Sequence, residues 1–210
     1  MKKSILIILV FTVFNSLSQT TADIFSASEY KYTYLGIDYS HAKFKGGFSQ
    51  FSSAGSTGVI AIKENYFSSW NNVVNNERAK YSLQDALRKE DINYDLDAIQ
   101  QINEGTVVEE MEGKTVTFLK EDIQEFIKNS KYSINEGVGI MFLAEYLDKG
   151  KVEACFHFVM FSMDSKEILI HERMISAPGG FGLKNYWIKP IYLSIQKIQK
   201  KLYKNWRKTL

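Results

Sequence analysis

The sequence predicts an α+β fold in which helices pack on an antiparallel or mixed sheet. Three strand-like runs, at 138–147, 151–163 and 167–177, follow one another in the second half of the chain. The turns between them are short, and such connections are typical of an antiparallel meander. Strands and helices do not alternate regularly along the chain, which favours α+β over a parallel α/β fold.

A further strand is predicted near residue 30. Tyr30, Tyr32 and Tyr34 alternate with a lysine and a threonine, and a period of two is typical of a strand. The segment 46–58 that follows is rich in Gly and Ser. This composition predicts a loop.

Helices are predicted in the middle of the chain. In 65–80 and again in 120–129, apolar side chains recur three and four residues apart, which is helical spacing. Ser82 and Asp85 have the spacing of a helix N-terminal cap. A short strand is predicted over 92–96.

The last predicted element is an amphipathic helix that begins near Pro190, since proline suits the first turn of a helix. Its apolar stripe consists of Ile191, Ile195, Ile198, Leu202 and Trp206. We expect this stripe to pack on the sheet.

Residues 1–18 have the three parts of a secretory signal peptide. Lys2 and Lys3 precede an apolar run of about ten residues, and the small side chains of Ser16 and Ser18 follow. The run has about half of the roughly 20 residues that a membrane-spanning helix needs. We therefore expect cleavage after Ser18, a single periplasmic domain over 19–210, and no lipid anchor, since no cysteine lies near the cleavage site.

Without residues 1–18 the chain is formally neutral. The whole chain has 26 Lys and Arg against 24 Asp and Glu, and the excess corresponds to Lys2 and Lys3. This balance argues against a nucleic-acid partner. The end of the chain is nevertheless basic and contains no acid: Lys184, Lys189, Lys197, Lys200, Lys201, Lys204, Arg207 and Lys208.

The basic helix and the aromatic residues before it are the predicted partner-binding surface. Its members are Lys197, Lys200, Lys201, Lys204, Phe181, Tyr186 and Trp187. The lysines could simply form a solvated face, or they could contact an acidic protein or an anionic membrane surface.

Candidate catalytic groups are few. A meander in which Met163 lies opposite Lys166 would place His157 opposite Glu172 on the second face of the sheet, with Cys155 beside it, and His171 on the core face. A histidine beside a carboxylate can act as a general base, but a polar cross-strand pair is the alternative interpretation. The second face is unusually apolar for one that contacts solvent.

No cofactor or metal site is predicted. The three histidines and the only cysteine show no metal-ligand spacing. The glycine-rich segment 179–182 precedes a helix, but it fits neither the dinucleotide-binding nor the Walker pattern. The sequence therefore predicts a protein that is not an enzyme.

The segment Gly-Gly-Phe-Gly-Leu-Lys-Asn-Tyr-Trp at 179–187 and the predicted signal resemble a largely uncharacterised family of secreted periplasmic proteins from bacteria with type IX secretion. The order of predicted elements is also similar to that of small periplasmic domains of outer-membrane assemblies. Within that setting, the chain resembles in size the plug of the type IX translocon. The resemblance implies a binding role and assigns no site residue.

Three functional hypotheses follow. The first is a non-catalytic periplasmic accessory protein that binds an envelope complex and plugs or supports a protein-secretion channel. The second is a periplasmic domain that binds a small ligand between the 46–58 loop and the sheet. The third is a small hydrolase that uses His157, Glu172 and Cys155.

Overall fold

The computed structural model describes residues 24–25, 30–48, 58–114 and 116–209. The predicted signal peptide and most of the predicted 46–58 loop lie outside these ranges. The small-ligand space predicted beside that loop lies outside them as well.

The described strands form one mixed sheet. They are β1 (Tyr32–Asp38), β2 (Lys43–Lys45), β3 (Asn93–Tyr94), β4 (Val138–Asp148), β5 (Glu153–Ser162) and β6 (Ile168–Ser176). Their order is β3-β1-β4-β5-β6, and β2 pairs with β4 beyond the end of β1. β1 is parallel to β3 and β4, whereas β4, β5 and β6 are antiparallel. The predicted α+β class and the C-terminal meander are confirmed.

Helices in the described ranges flank the sheet. Helix α1 consists of Val59–Ile62, a π-helical turn at Lys63–Phe67, and Ser68–Asn76. The next three are α2 (Leu83–Leu87), α3 (Asp97–Glu104) and α4 (Lys120–Asn129). Helix α5 consists of Gly182–Lys197, a π-helical turn at Ile198–Leu202, and Tyr203–Thr209. A short 3₁₀ turn, Val108–Met111, lies between α3 and α4.

The predicted cap of α2 is confirmed, because Ser82 Oγ accepts a hydrogen bond from the Asp85 amide at 3.1 Å. The predicted start of α5 near Pro190 is wrong. The helix begins at Gly182 and contains Pro190. A proline inside a helix leaves the carbonyl four residues earlier without a donor. Here the Gly179 amide donates to that carbonyl, on Tyr186, at 3.0 Å.

Helices cover both faces of the sheet. Helices α1, α2 and α5 pack on one face, which we call the main face, through a core that includes Trp70, Leu83 and Ile191. Helices α3 and α4 pack on the other, which we call the second face, through residues such as Ile99 and Ile123. The apolar character of the second face is therefore explained by helix packing within the chain.

The predicted faces of β4 and β5 are correct, but the predicted register, with Leu147 opposite Lys151, is wrong, and so are the predicted faces in β6. Leu147 pairs with Ala154, and Phe142 pairs with Phe158; Phe142 and Phe158 lie in the main-face core, the face predicted for them. A bulge in β6 then lets Met160 pair with Ile170 and Phe161 with Ile168. Because one extra residue exchanges the two faces of a strand, the side chains of β6 that follow the bulge have their predicted faces reversed.

Two residues show this reversal. His171 contacts His157 on the second face, where it was not expected. Glu172 lies on the main face and accepts a hydrogen bond from Trp206 Nε1 at 2.8 Å. The residue opposite His157 is Arg173.

None of the helices in the described ranges combines the length and the apolar composition that a bilayer-spanning segment requires.

Side-chain amides form hydrogen bonds with the edge of β1 that the short strand β3 leaves unpaired. Asn71 Oδ1 accepts from the Ile37 amide at 2.6 Å, and Asn103 Oδ1 accepts from the Tyr39 amide at 2.7 Å. Both side-chain amides also donate to the Ile37 carbonyl, at 3.0 and 2.9 Å. Gly36 has a φ of 116°, and a Cβ there would lie 2.6 Å from Asn71 Oδ1.

We expect Gly36→Ala to lower the free energy of unfolding by about 2–4 kcal/mol, because it combines backbone strain with a clash against a buried amide. Gly47→Ala is the matched control, since Gly47 also has a positive φ, 67°, but a Cβ there would meet no atom of the described residues within 4 Å. Its expected loss is about 1 kcal/mol. Urea unfolding of both variants measures the difference, and equal losses would show that Asn71 does not restrict this position.

Candidate functional site

The predicted partner-binding lysines lie along the exposed side of α5. All eight basic residues from Lys184 to Lys208 are exposed. Lys197, Lys200, Lys201 and Lys204 have no carboxylate within 4.0 Å among the described residues. We call these eight side chains the basic face.

The opposite side of α5 fixes the direction of the basic face. The predicted stripe of Ile191, Ile195, Ile198, Leu202 and Trp206 is buried in the main-face core. Residues 182–209 extend about 40 Å at 1.5 Å per residue. The basic face is therefore a long row of cations held in place by a helix that cannot rotate without exposing its apolar side.

The three predicted aromatic residues differ in their exposure. The Phe181 side chain is 95% exposed, immediately before α5. Trp187 is fully buried, and its ring lies 5.4 Å from that of Phe48. Tyr186 is half-buried with its ring edge-on to Trp187. Phe181 therefore stays a candidate contact residue, whereas Trp187 belongs to the core.

A second polar site lies on the second face, where sequence and structure partly agree. A bulge in β4 between Ala144 and Tyr146 leaves Glu145 without a ladder partner. A bulge can redirect a side chain in this way. Glu145 contacts His157 and Arg173, and the group of Glu145, Cys155, His157, His171 and Arg173 forms what we call the histidine cluster.

Glu145 is the centre of the histidine cluster. Its Oε2 accepts hydrogen bonds from His157 Nε2 at 2.8 Å, Arg173 Nε at 2.9 Å and the Phe118 amide at 3.2 Å. Its Oε1 accepts from Arg173 Nη2 at 2.5 Å. Because an ionised carboxylate only accepts hydrogen bonds, His157 donates to Glu145 from Nε2. His157 Nδ1 and His171 Nε2 lie 2.7 Å apart and share one hydrogen bond.

The electrostatics of the histidine cluster follow from these contacts. Burial raises the pKa of Glu145, but hydrogen bonds from Arg173, His157 and the Phe118 amide outweigh it and lower this pKa to about 2. Burial, together with the nearby His157 and Lys120, lowers the pKa of His171 to about 4, although Glu121 opposes this shift. Near neutral pH, Glu145 is therefore ionised and His171 is neutral.

Cys155 has none of the properties of a catalytic thiol. It is fully buried, and burial and the nearby Glu145 raise its pKa to about 12. A nucleophilic cysteine needs access to substrate and a large thiolate fraction. His157 is also 0% exposed, with the Phe118 ring centred 5.9 Å from its own. The geometry does not favour the predicted hydrolase.

The ligand atoms of Glu145, Cys155 and His157 lie within 4.8 Å of one another, which is close enough to raise the question of a metal ion. The carboxylate oxygens, however, already accept four hydrogen bonds, two of them from the Arg173 guanidinium. A cation would have to displace a positively charged group from a buried site. The donor set fits a hydrogen-bonded structural cluster better than a metal site.

The sequence identified part of this cluster. The spacing of Cys155 and His157 placed them together, and His157 was expected to have a carboxylate partner. The partner is Glu145 instead of Glu172, and Arg173 and His171 were missed. The bulge in β6 reverses the faces predicted for residues 171–173, and the bulge in β4 removes Glu145 from the ladder, which strict alternation does not predict.

Comparison of the chain with protein-family models, curated proteins and solved structures found no match. The resemblance to secreted proteins of bacteria with type IX secretion therefore stays a prediction.

We expect Glu145→Gln to lower the free energy of unfolding by about 3–5 kcal/mol, since it removes the negative charge that Arg173 faces and replaces one of the two accepting oxygens with an amide donor in a buried site. Glu153→Gln is the control. Glu153 is only partly buried, and its Tyr146 hydrogen bond can persist with an amide oxygen. Its expected loss is below about 1 kcal/mol. Similar losses in chemical denaturation would contradict a structural role for the cluster.

We expect stability to fall as the pH decreases from about 6.5 to about 4. His171 has a lower pKa in the folded chain, about 4, than the ordinary value of 6.5, so the unfolded chain takes up this proton first. Allowing for the partial exposure of His171, the loss is on the order of 1 kcal/mol. The contribution of Glu145 is lost at lower pH, because its folded pKa is about 2.

The measurement is the unfolding midpoint against pH for the wild type and His171→Gln. The variant lacks the titrating group and should show a flatter profile between pH 6.5 and 4. His41→Gln is the control for removal of a histidine elsewhere. Superimposable profiles of the wild type and His171→Gln would count against this assignment.

Proposed function

We propose that this chain is a non-catalytic accessory protein of the cell envelope that docks on an acidic protein surface through the basic face. The observation that carries the proposal is a row of exposed cations on one helix. Four of them have no carboxylate partner among the described residues. Unpaired charges in a fixed row attract a partner of opposite charge and raise its rate of association.

The placement of apolar groups favours a protein partner over a membrane. The apolar side of α5 is committed to the core, so the helix has no hydrophobic face to insert into lipid. Phe181 is the large side chain that protrudes beside the basic face. A single exposed aromatic side chain next to charged groups suits an anchor that enters a pocket on a protein.

Helices cover the second face of the sheet, and this limits where a partner can dock. Since α3 and α4 occupy that face, the proposed contact lies on the outer side of α5, which packs on the main face. The periplasmic location depends on the predicted signal peptide. Within the envelope, a complex that exports proteins is the finer proposal, and the resemblance of segment 179–187 supports it.

The test is affinity purification of the tagged protein from detergent-solubilised envelopes at low salt. In the test variant, four lysines of the basic face are changed to glutamate: Lys197, Lys200, Lys201 and Lys204. In the matched control, the same change is made at four exposed lysines elsewhere: Lys80, Lys114, Lys128 and Lys131. We expect the test variant to lose a partner that the wild type and the control retain.

Further measurements separate the alternatives. Phe181→Ser should weaken capture of the same partner while changing the unfolding free energy by less than about 0.5 kcal/mol. Flotation with phosphatidylglycerol vesicles tests a membrane instead of a protein. The proposal is wrong if the wild type is recovered alone as a monomer at low salt. It is also wrong if the test variant retains the partner, or if vesicles bind and no protein does.

A further inference from the structure

The sheet has a topological switch point beside β1. The chain that follows β1 and β2 returns over the main face as α1, whereas the chain that follows β3 passes to the second face as α3. β1 and β3 are parallel neighbours. When helices leave adjacent parallel strands toward opposite faces, a crevice opens beyond the carboxyl ends of the strands.

A cavity of about 200 Å³ lies in this position. One wall comes from α1 and the other from α3 and the residue before it. The lining residues are Lys63, Glu64, Phe67, Ser68, Asn71, Asn72, Leu96, Gln100, Asn103 and Glu104. We call this cavity the switch-point crevice.

Asn71 and Asn103, the two amides that complete the edge of β1, also line the crevice. Asn71 Nδ2 in addition donates to the Phe67 carbonyl in the same helix, at 3.1 Å. Their orientation is therefore fixed before any ligand arrives. A preformed polar surface reduces the entropy lost on binding.

The π-helical turn of α1 forms the mouth of the crevice. Its residues include Lys63, Glu64 and Phe67, all of which line the cavity. Such turns are rare and occur frequently at functional sites, because they alter the direction of side chains within a helix. The strand topology and this helix irregularity therefore point independently to the same place.

The charges at the mouth define the ligand that fits. Glu64 and Glu104 are exposed, and no Lys or Arg nitrogen lies within 4.0 Å of either among the described residues. The one lysine in the lining, Lys63, donates to the Thr106 carbonyl at 2.7 Å. Phe67 and Leu96 add apolar surface. Glu104 Oε1 accepts a hydrogen bond from the neutral Gln100 amide at 3.0 Å. The crevice therefore offers two carboxylates without a cationic partner among the described residues, beside an apolar wall and amides.

We propose that the switch-point crevice binds a small amine, a molecule of about amino-acid size that carries an ammonium group. The volume equals that of about seven water molecules, which sets the size of the ligand. The ammonium group binds the carboxylates of Glu64 and Glu104, and the carbon chain packs on Phe67 and Leu96. This site is separate from the basic face and does not depend on the docking proposal.

The test is NMR titration of the ¹⁵N-labelled protein with putrescine, agmatine and the common L-amino acids. Succinate, which matches putrescine in carbon number but has the opposite charge, is the control probe. We expect at least one amine to bind, with the largest shifts in 63–72 and 96–104 and at the Asn71 and Asn103 side-chain amides. We expect no binding of succinate.

The test variant combines Glu64→Gln with Glu104→Gln. The matched control combines Glu109→Gln with Glu110→Gln, at positions outside the crevice. The first pair should weaken amine binding at least about tenfold, since it removes both anions from the site. The control pair should bind as the wild type does. Failure of every amine, binding of succinate alone, or unchanged affinity in the first pair would each overturn the proposal.

Discussion

The burial of β4 is the constraint on which the rest of the structure depends. All eleven residues of this strand are buried. A strand in the middle of a sheet can be buried throughout only if both faces are covered and both edges are paired. β1 and β2 pair with one edge, β5 pairs with the other, and helices pack on the two faces. Glu145, the one charged side chain in the interior of β4, consequently needs a full set of donors.

The constraint also explains where functional surfaces can lie. Because both faces of the sheet are used for packing, groups that bind other molecules must be on the outer sides of helices or beyond strand ends. The basic face is on the outer side of α5, and the switch-point crevice is beyond β3. The histidine cluster lies between the sheet and its cover, which is the position of a group that stabilises the fold.

Local patterns in the sequence predicted local features correctly. The meander, the cap at Ser82 and the apolar stripe of α5 each depend on a few neighbouring residues. The parallel pairing of β1 with β4 depends on residues more than one hundred positions apart, and no short pattern encodes it. The bulges at Glu145 and Leu169 likewise have no composition signal, so the positions of His171 and Glu172 were predicted on the wrong faces. The start of α5 was wrongly predicted near Pro190. The helix can contain this proline because the Gly179 amide, which lies outside the helix, replaces the donor that proline lacks.

The candidate sites also differ in whether the sequence alone can predict them. The lysines of α5 could be read from the sequence, since charge and spacing are local. The crevice could not, because it is defined by the faces to which α1 and α3 pass after leaving the sheet.

The single cysteine of the chain can be used to measure local opening of the fold. Cys155 is buried beside Glu145, and its raised pKa keeps it protonated in the closed state. A thiol reagent therefore reacts at an appreciable rate only with molecules in which the surroundings of β5 have opened. Under conditions where closing is faster than labelling, the reaction rate is proportional to the open population. Labelling kinetics thus give the free energy of opening at this point of the sheet without an introduced probe.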